Sequence, residues 1–103
     1  MGKIFNKLVR DKIPEIIKRN GEKPEIEILD DQRFLQELHK KLFEEVGEFV
    51  EEDSLEELAD LLEVVYAIVR LKKIDLNEVE KIRKEKAEKR GAFEGKIFLK
   101  ETK

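Results

Sequence analysis

At 103 residues, with 40% hydrophobic residues and no cysteine, the chain is sized for one domain with a small core, and it excludes a disulfide framework or a thiolate metal site. Its 46% charged content sums to a net charge of -3, which argues against broad affinity for nucleic-acid phosphates, and no apolar run approaches the roughly 20 residues of a membrane span. The start MGKIFNKLVRDKIPEII lacks the uninterrupted apolar core of a signal peptide, so the expectation is a cytoplasmic single domain over residues 1–103, without nucleic-acid or membrane partners.

In chain order, RDKIPEIIKRNG comes first. It offers Asp11 as an N-cap, Pro14 in the first turn, apolar Ile13, Ile16 and Ile17, and Gly21 as terminator. A short helix from Lys12 to Asn20 is predicted. KPEIEILDD then alternates Glu25, Ile26, Glu27 and Ile28, the two-residue period of a half-buried strand, and Asp30-Asp31 can cap a long helix after it. The strand's expected partner is GKIFLKET near the far end, where Ile97 and Leu99 alternate with Lys96, Phe98 and Lys100.

That long helix is predicted from about Asp31 to Glu52, with Leu35, Leu38, Leu42 and Phe49 on a seam spaced by threes and fours. Position 45 should complete that seam with an apolar residue, yet it holds Glu45. A carboxylate on a packed face is costly without a compensating partner. A second long helix follows Ser54 and runs towards Lys72. From Leu61 to Val69 its only charge is Glu63, so it requires neighbours on most sides. A last, mostly charged helix from about Leu76 to Arg90 is announced by Asp75 and Glu78, a cap and its capping-box partner.

The link EEDS permits only a tight turn, so the two long helices form an antiparallel hairpin. Glu48 and Glu57 lie equally far from its midpoint, as do Glu45 and Asp60. Residues three apart share a helix face, one turn of about 5.4 Å apart, so all four carboxylates converge. Their repulsion must be offset by protons or by a hard divalent cation, and oxygen-only ligands favour Mg²⁺ or Mn²⁺. Such an ion commonly joins carboxylates to a substrate's phosphates. Taken singly, Glu57 is also explained as the capping-box partner of Ser54, and Glu44, Glu51, Glu52 and Glu56 as a solvated face. Neither explanation accounts for Glu45.

With Glu44-Glu45-x-x-Glu48 followed by Glu57-x-x-Asp60 on paired helices, the chain resembles the all-α nucleotide pyrophosphohydrolases, the MazG-like and phosphoribosyl-ATP pyrophosphohydrolase group. NKLVRDKIPEII, ELADLLEVVYAIV and KRGAFEGKIFL are similar to segments of its small stand-alone members. The link between Glu48 and Glu57 is shorter than in many MazG proteins, and Ala92 stands where close relatives often have a second glycine. The resemblance implies a mainly α fold whose hairpin builds a four-helix-bundle core completed by oligomerisation, as a dimer or tetramer, beside the small two-stranded β element. It also implies Mg²⁺-dependent cleavage between the α and β phosphates of a nucleoside triphosphate or phosphoribosyl-ATP, giving monophosphate and pyrophosphate. Carried over by position, Glu45, Glu48, Glu57 and Asp60 are metal ligands, and Glu44 serves a second ion or orients the attacking water.

The basic half of a phosphate site is drawn from Lys7, Arg10, Lys12, Lys86, Lys89, Arg90 and Lys96, with Arg10, Lys12, Lys86 and Arg90 as the phosphate-binding candidates. Guanidinium groups grip phosphate bidentately, which singles out Arg10 and Arg90 among them. His39, the single histidine, has no companion ligand and reads as a surface helix residue. Phe93 and Phe98 read as core aromatics, and Glu63 as an outer neighbour of the metal or a packing residue. Two other readings stand beside the enzyme: a non-catalytic helical oligomer that binds a divalent metal or a nucleotide, and an interaction module with Glu45 as a register-setting polar residue.

Overall fold

The structure, a computed structural model, describes residues 2–103. Four helices follow in order, α1 Ile13–Arg19, α2 Asp31–Glu52, α3 Leu55–Leu71 and α4 Leu76–Arg90. They fall into two compact units, Met1–Lys72 and Lys73–Lys103.

In the first unit the local chemistry of each helix end is visible. The Asp30 carboxylate accepts from the Arg33 N–H at 2.8 Å and opens α2, which satisfies one of the donors that every helix start leaves unpaired. The Ser54 hydroxyl does the same for α3, accepting from Glu57 N–H at 3.2 Å. Between them Asp53 closes α2 in the left-handed region, φ 49°, its N–H donating to Phe49 O at 2.8 Å. Aspartate tolerates that conformation better than most side chains do. Two residues therefore suffice to reverse the chain, and α2 packs back against α3 as an antiparallel hairpin.

The start of α1 differs from expectation. Lys12, not Asp11, occupies the cap position and no side chain bonds to the helix end. A cap at Asp11 would bond to the N–H of residue 13 or 14. Ile13 N–H already donates to Arg10 O at 3.0 Å, and Pro14 has no N–H. Beyond the helix, Gly21 sits at φ 88° with its N–H donating to Lys18 O at 3.0 Å, a conformation that costs glycine nothing.

The small two-stranded β element is not present: no strand occurs among the described residues. Residues 25–28 and 97–99 carry the alternating pattern, but alternation makes a strand only when a neighbouring backbone and an apolar surface are there to meet it. Here Ile26, Ile28, Ile97 and Leu99 are all exposed.

The second unit consists of α4 and an irregular C-terminal stretch. Asp75 opens α4 by accepting from Asn77 N–H at 2.8 Å, and Gly91 closes it at φ 84°. Leu76, Val79 and Ile82 stay exposed, and so do Phe93 and Phe98, which the sequence suggested as core aromatics. No helix among the described residues is long and apolar enough to cross a membrane.

Only Leu38, Val64 and Glu45 are buried among the described residues. Of the predicted seam, Leu38 is buried and Leu35, Leu42 and Phe49 are half-buried. On the other sides of the hairpin, Phe43, Val46 and Val50 on α2 and Leu55, Leu58, Leu62 and Tyr66 on α3 are exposed. These residues recur at three- and four-residue intervals, the spacing of a helix face that packs against something.

Candidate functional site

One of the three buried residues is an acid, and its surroundings build the site. Glu45 is 6% exposed, held by the α2 seam one turn below Leu42. The hairpin register sets Glu57 and Asp60 of α3 opposite it. Carboxylate oxygens of Glu45, Glu57 and Asp60 lie within 4.8 Å of one another, a spread that one small cation can bridge. Two oxygens in this group, Glu45 Oε2 and Glu57 Oε2, are buried without a hydrogen-bond partner. Buried polar atoms in folded proteins are nearly always satisfied, and an exception marks a strained or functional position.

Glu48, the fourth predicted ligand, is exposed and lies outside that triplet. It is nevertheless adjacent: its charge acts on both Glu45 and Glu57. Glu44 projects beside the cluster and meets Lys7 Nζ at 3.5 Å and Lys41 Nζ at 3.6 Å.

Burial and crowding together push Glu45 above the ordinary carboxylate value of 4.5. Desolvation contributes most, followed by the Glu48 charge, against which the Lys41 ammonium works; Asp60 and Glu44 add to the rise. Glu57 is raised as well, first by desolvation and then by Glu48 and Asp60.

This gives the metal-free protein a definite pH dependence. Below 4.5 both acids are protonated in the folded and unfolded chains and contribute nothing. As pH rises from there through the raised native values, the folded state retains protons that the unfolded chain has released, so stability falls. In EDTA, resistance of the parent to urea should decline as pH rises above 4.5, and Glu45→Gln should flatten that decline. A parent whose stability rises steadily through this window would contradict the crowding.

Basic side chains already lean on the acids. Arg10 Nη2 donates to Asp60 Oδ1 at 2.7 Å, and its Nη1 is 3.9 Å from Glu63 Oε1. Lys41 Nζ lies 3.6 Å from both Glu45 Oε1 and Glu44 Oε1, and Arg70 pairs with Glu63 at 3.4 Å. Lys41 was not among the phosphate candidates in the sequence. Its position three and four residues before Glu44 and Glu45 on one helix face was the available signal.

Arg10, Lys12, Lys7 and Lys41 line an open cleft of about 1010 Å³ together with Glu45, Asp60 and Glu63. Ile13, Ile16, Phe34, Leu38, Val64, Ala67 and Leu71 line it as well. Apolar walls with a few convergent charged groups are what small-molecule sites have in common. Of the remaining phosphate candidates, Lys86 and Arg90 lie on α4 in the second unit. His39 is exposed on α2. Comparison with family models, with curated proteins and with solved structures found no match for this chain.

Proposed function

We propose that the chain is a Mg²⁺-dependent nucleotide pyrophosphohydrolase of the MazG-like kind, hydrolysing a nucleoside triphosphate or phosphoribosyl-ATP to monophosphate and pyrophosphate. The observation that carries the reading is Glu45, an acid in a leucine seam with an unpartnered buried oxygen, gathered with Glu57 and Asp60 within 4.8 Å. The donor set is all oxygen, which suits Mg²⁺ or Mn²⁺ and not a softer metal. Glu45, Glu57 and Asp60 would hold the ion, with Glu48 at the edge as a further ligand. When bound, the ion supplies neutralisation of the charge that builds on the phosphate oxygens.

The chain's own residues do the rest. The apolar walls of the cleft take the base and sugar, while Arg10, Lys12, Lys7 and Lys41 meet the phosphates. Glu44 stands beside the cluster to orient the attacking water and accept its proton. The water oxygen forms its bond to the α phosphorus as the bond from that phosphorus to the bridging oxygen breaks, and pyrophosphate leaves with the electron pair. In this reading the protein acts in the cytoplasm, where both nucleotide and Mg²⁺ are abundant.

The working unit in this reading is a homo-oligomer, a dimer or a tetramer, in which hairpins from different copies complete a four-helix bundle. The chain exposes 10064 Å². Two separate compact bodies of its two lengths would expose on the order of 7,000 Å². The excess is of the size that extensive association covers.

Product analysis tests the activity directly. Purified protein with Mg²⁺ and a panel of nucleoside triphosphates should release monophosphate and pyrophosphate in equal amounts. Inorganic phosphate as the sole product, or no turnover across the panel, would reject it. The ion pairs favour a second reading, an oligomer that binds metal or nucleotide without turnover: Lys41 and Arg10 already partner Glu45 and Asp60. It expects binding without products.

A further inference from the structure

We propose that Arg10 is the counter-cation of the metal-free cluster, leaving Asp60 when a divalent ion enters and becoming free to bind phosphate in the same cleft. The inference rests on the metal reading above and adds the order of events at that site.

Asp60 belongs both to the carboxylate triplet and to the Arg10 pair. A guanidinium nitrogen 2.7 Å from Asp60 Oδ1 places a positive charge within a few ångströms of where the triplet would hold a dication. Like charges that close repel, even where water screens them in part. The dication gains Glu45 and Glu57 as well, whereas Arg10 has the more distant Glu63 as its second partner among the described residues, so the guanidinium is the one to go.

Its departure costs little. The Arg10 side chain is 58% exposed, and an exposed pair of this kind contributes little to stability. Arg10 also lies before α1 on irregular chain, so its side chain can turn without disturbing a helix. Once released it still lines the cleft with Lys7 and Lys12, and its planar fork matches phosphate oxygens. Lys41 differs, because it sits within α2 and its contacts at 3.6 Å are longer than hydrogen bonds.

Two measurements that need no turnover test the exchange. Free Mn²⁺ is read by electron paramagnetic resonance during titration of the parent, Arg10→Gln and Lys12→Gln. The Lys12 variant loses the same charge from the same cleft, but Lys12 makes no ion pair among the described residues. Arg10→Gln should bind Mn²⁺ about 2- to 5-fold tighter than the parent, with Lys12→Gln unchanged, in keeping with one exposed pair being lost. Phenylglyoxal modification of Arg10, followed by peptide mass mapping, should accelerate several-fold when Mn²⁺ is added to the parent. Inorganic phosphate should slow it again, and in Asp60→Asn it should be fast without metal. Equal Mn²⁺ affinities for the two variants, or an Arg10 modification rate indifferent to Mn²⁺, would overturn the exchange while leaving the metal site standing. A parent that takes up no Mn²⁺ would overturn both.

Discussion

Mg²⁺ or Mn²⁺ should raise the melting temperature of the parent by about 10–20 °C at a hundredfold excess over the dissociation constant, and should leave Glu48→Gln/Asp60→Asn unmoved. The expected size comes from linkage: a ligand at about 100 times its Kd adds about 2.7 kcal/mol to the folded state, and each kcal/mol moves a domain of this size by about 4–8 °C. The direction of the variant's metal-free stability separates loss of binding from loss of folding. Removing Asp60's charge relieves Glu45 and Glu57, both of which it pushes up, and the exposed Arg10 pair given up in exchange is worth little. The double variant should therefore melt no lower than the parent in EDTA. Turnover in the same variant should fall by about 10³-fold or more, since ion-mediated charge stabilisation supplies several kcal/mol of the barrier lowering. Equal metal responses in parent and variant would remove Glu48 and Asp60 from the ligand set. A parent indifferent to both ions would remove the ion.

The second large effect concerns the exposed stripes. Leu62→Asp, and independently Phe43→Asp, should convert an oligomeric parent into monomer, read by sedimentation at tens of micromolar protein, with a dimer affinity at least about 100-fold weaker. Leu62 and Phe43 occupy mirrored positions of the hairpin and are 43% and 78% exposed. In a symmetric dimer each substitution counts twice, and each Leu or Phe removed from burial is worth about 1.5–3 kcal/mol. A charge placed in an apolar contact adds its own desolvation cost. Because only Leu38 and Val64 are buried hydrophobics among the described residues, monomerisation should also lower the melting temperature and make it independent of protein concentration. A parent that sediments as a monomer would refute the proposed bundle. Parent-like association in both variants would place the contact elsewhere.

How much of this was legible beforehand differs from element to element. Caps and periodicity act over three or four residues, so Asp30, Ser54 and Asp75 announced their helices, and α2 runs over the predicted Asp31 to Glu52. The opposition of Glu45 to Asp60 and of Glu48 to Glu57 comes from counting outwards from the middle of the four-residue link EEDS; Glu45, Glu57 and Asp60 do gather within 4.8 Å, while Glu48 lies outside that triplet. Where a residue's fate rested on something distant in sequence, the reading fell short. Alternating Ile26 and Ile28 indicated a strand, but a strand needs a partner and the described chain provides none. Asp11 is the exception, because its competitors are local: Ile13 N–H donates to the Arg10 carbonyl, and Pro14 has no N–H to offer.

The sequence by itself determined the helices, the tight reversal between α2 and α3, and the presence of an acid where a seam expects an apolar residue, since all of these arise from short-range spacing. Only the tertiary structure decided that Glu45 is buried while Glu48 is exposed, and that Arg10, fifty residues before its partner, rests on Asp60. Burial and long-range ion pairing depend on how separate segments pack in space, and that information is spread over the whole first unit and held by no single stretch of it.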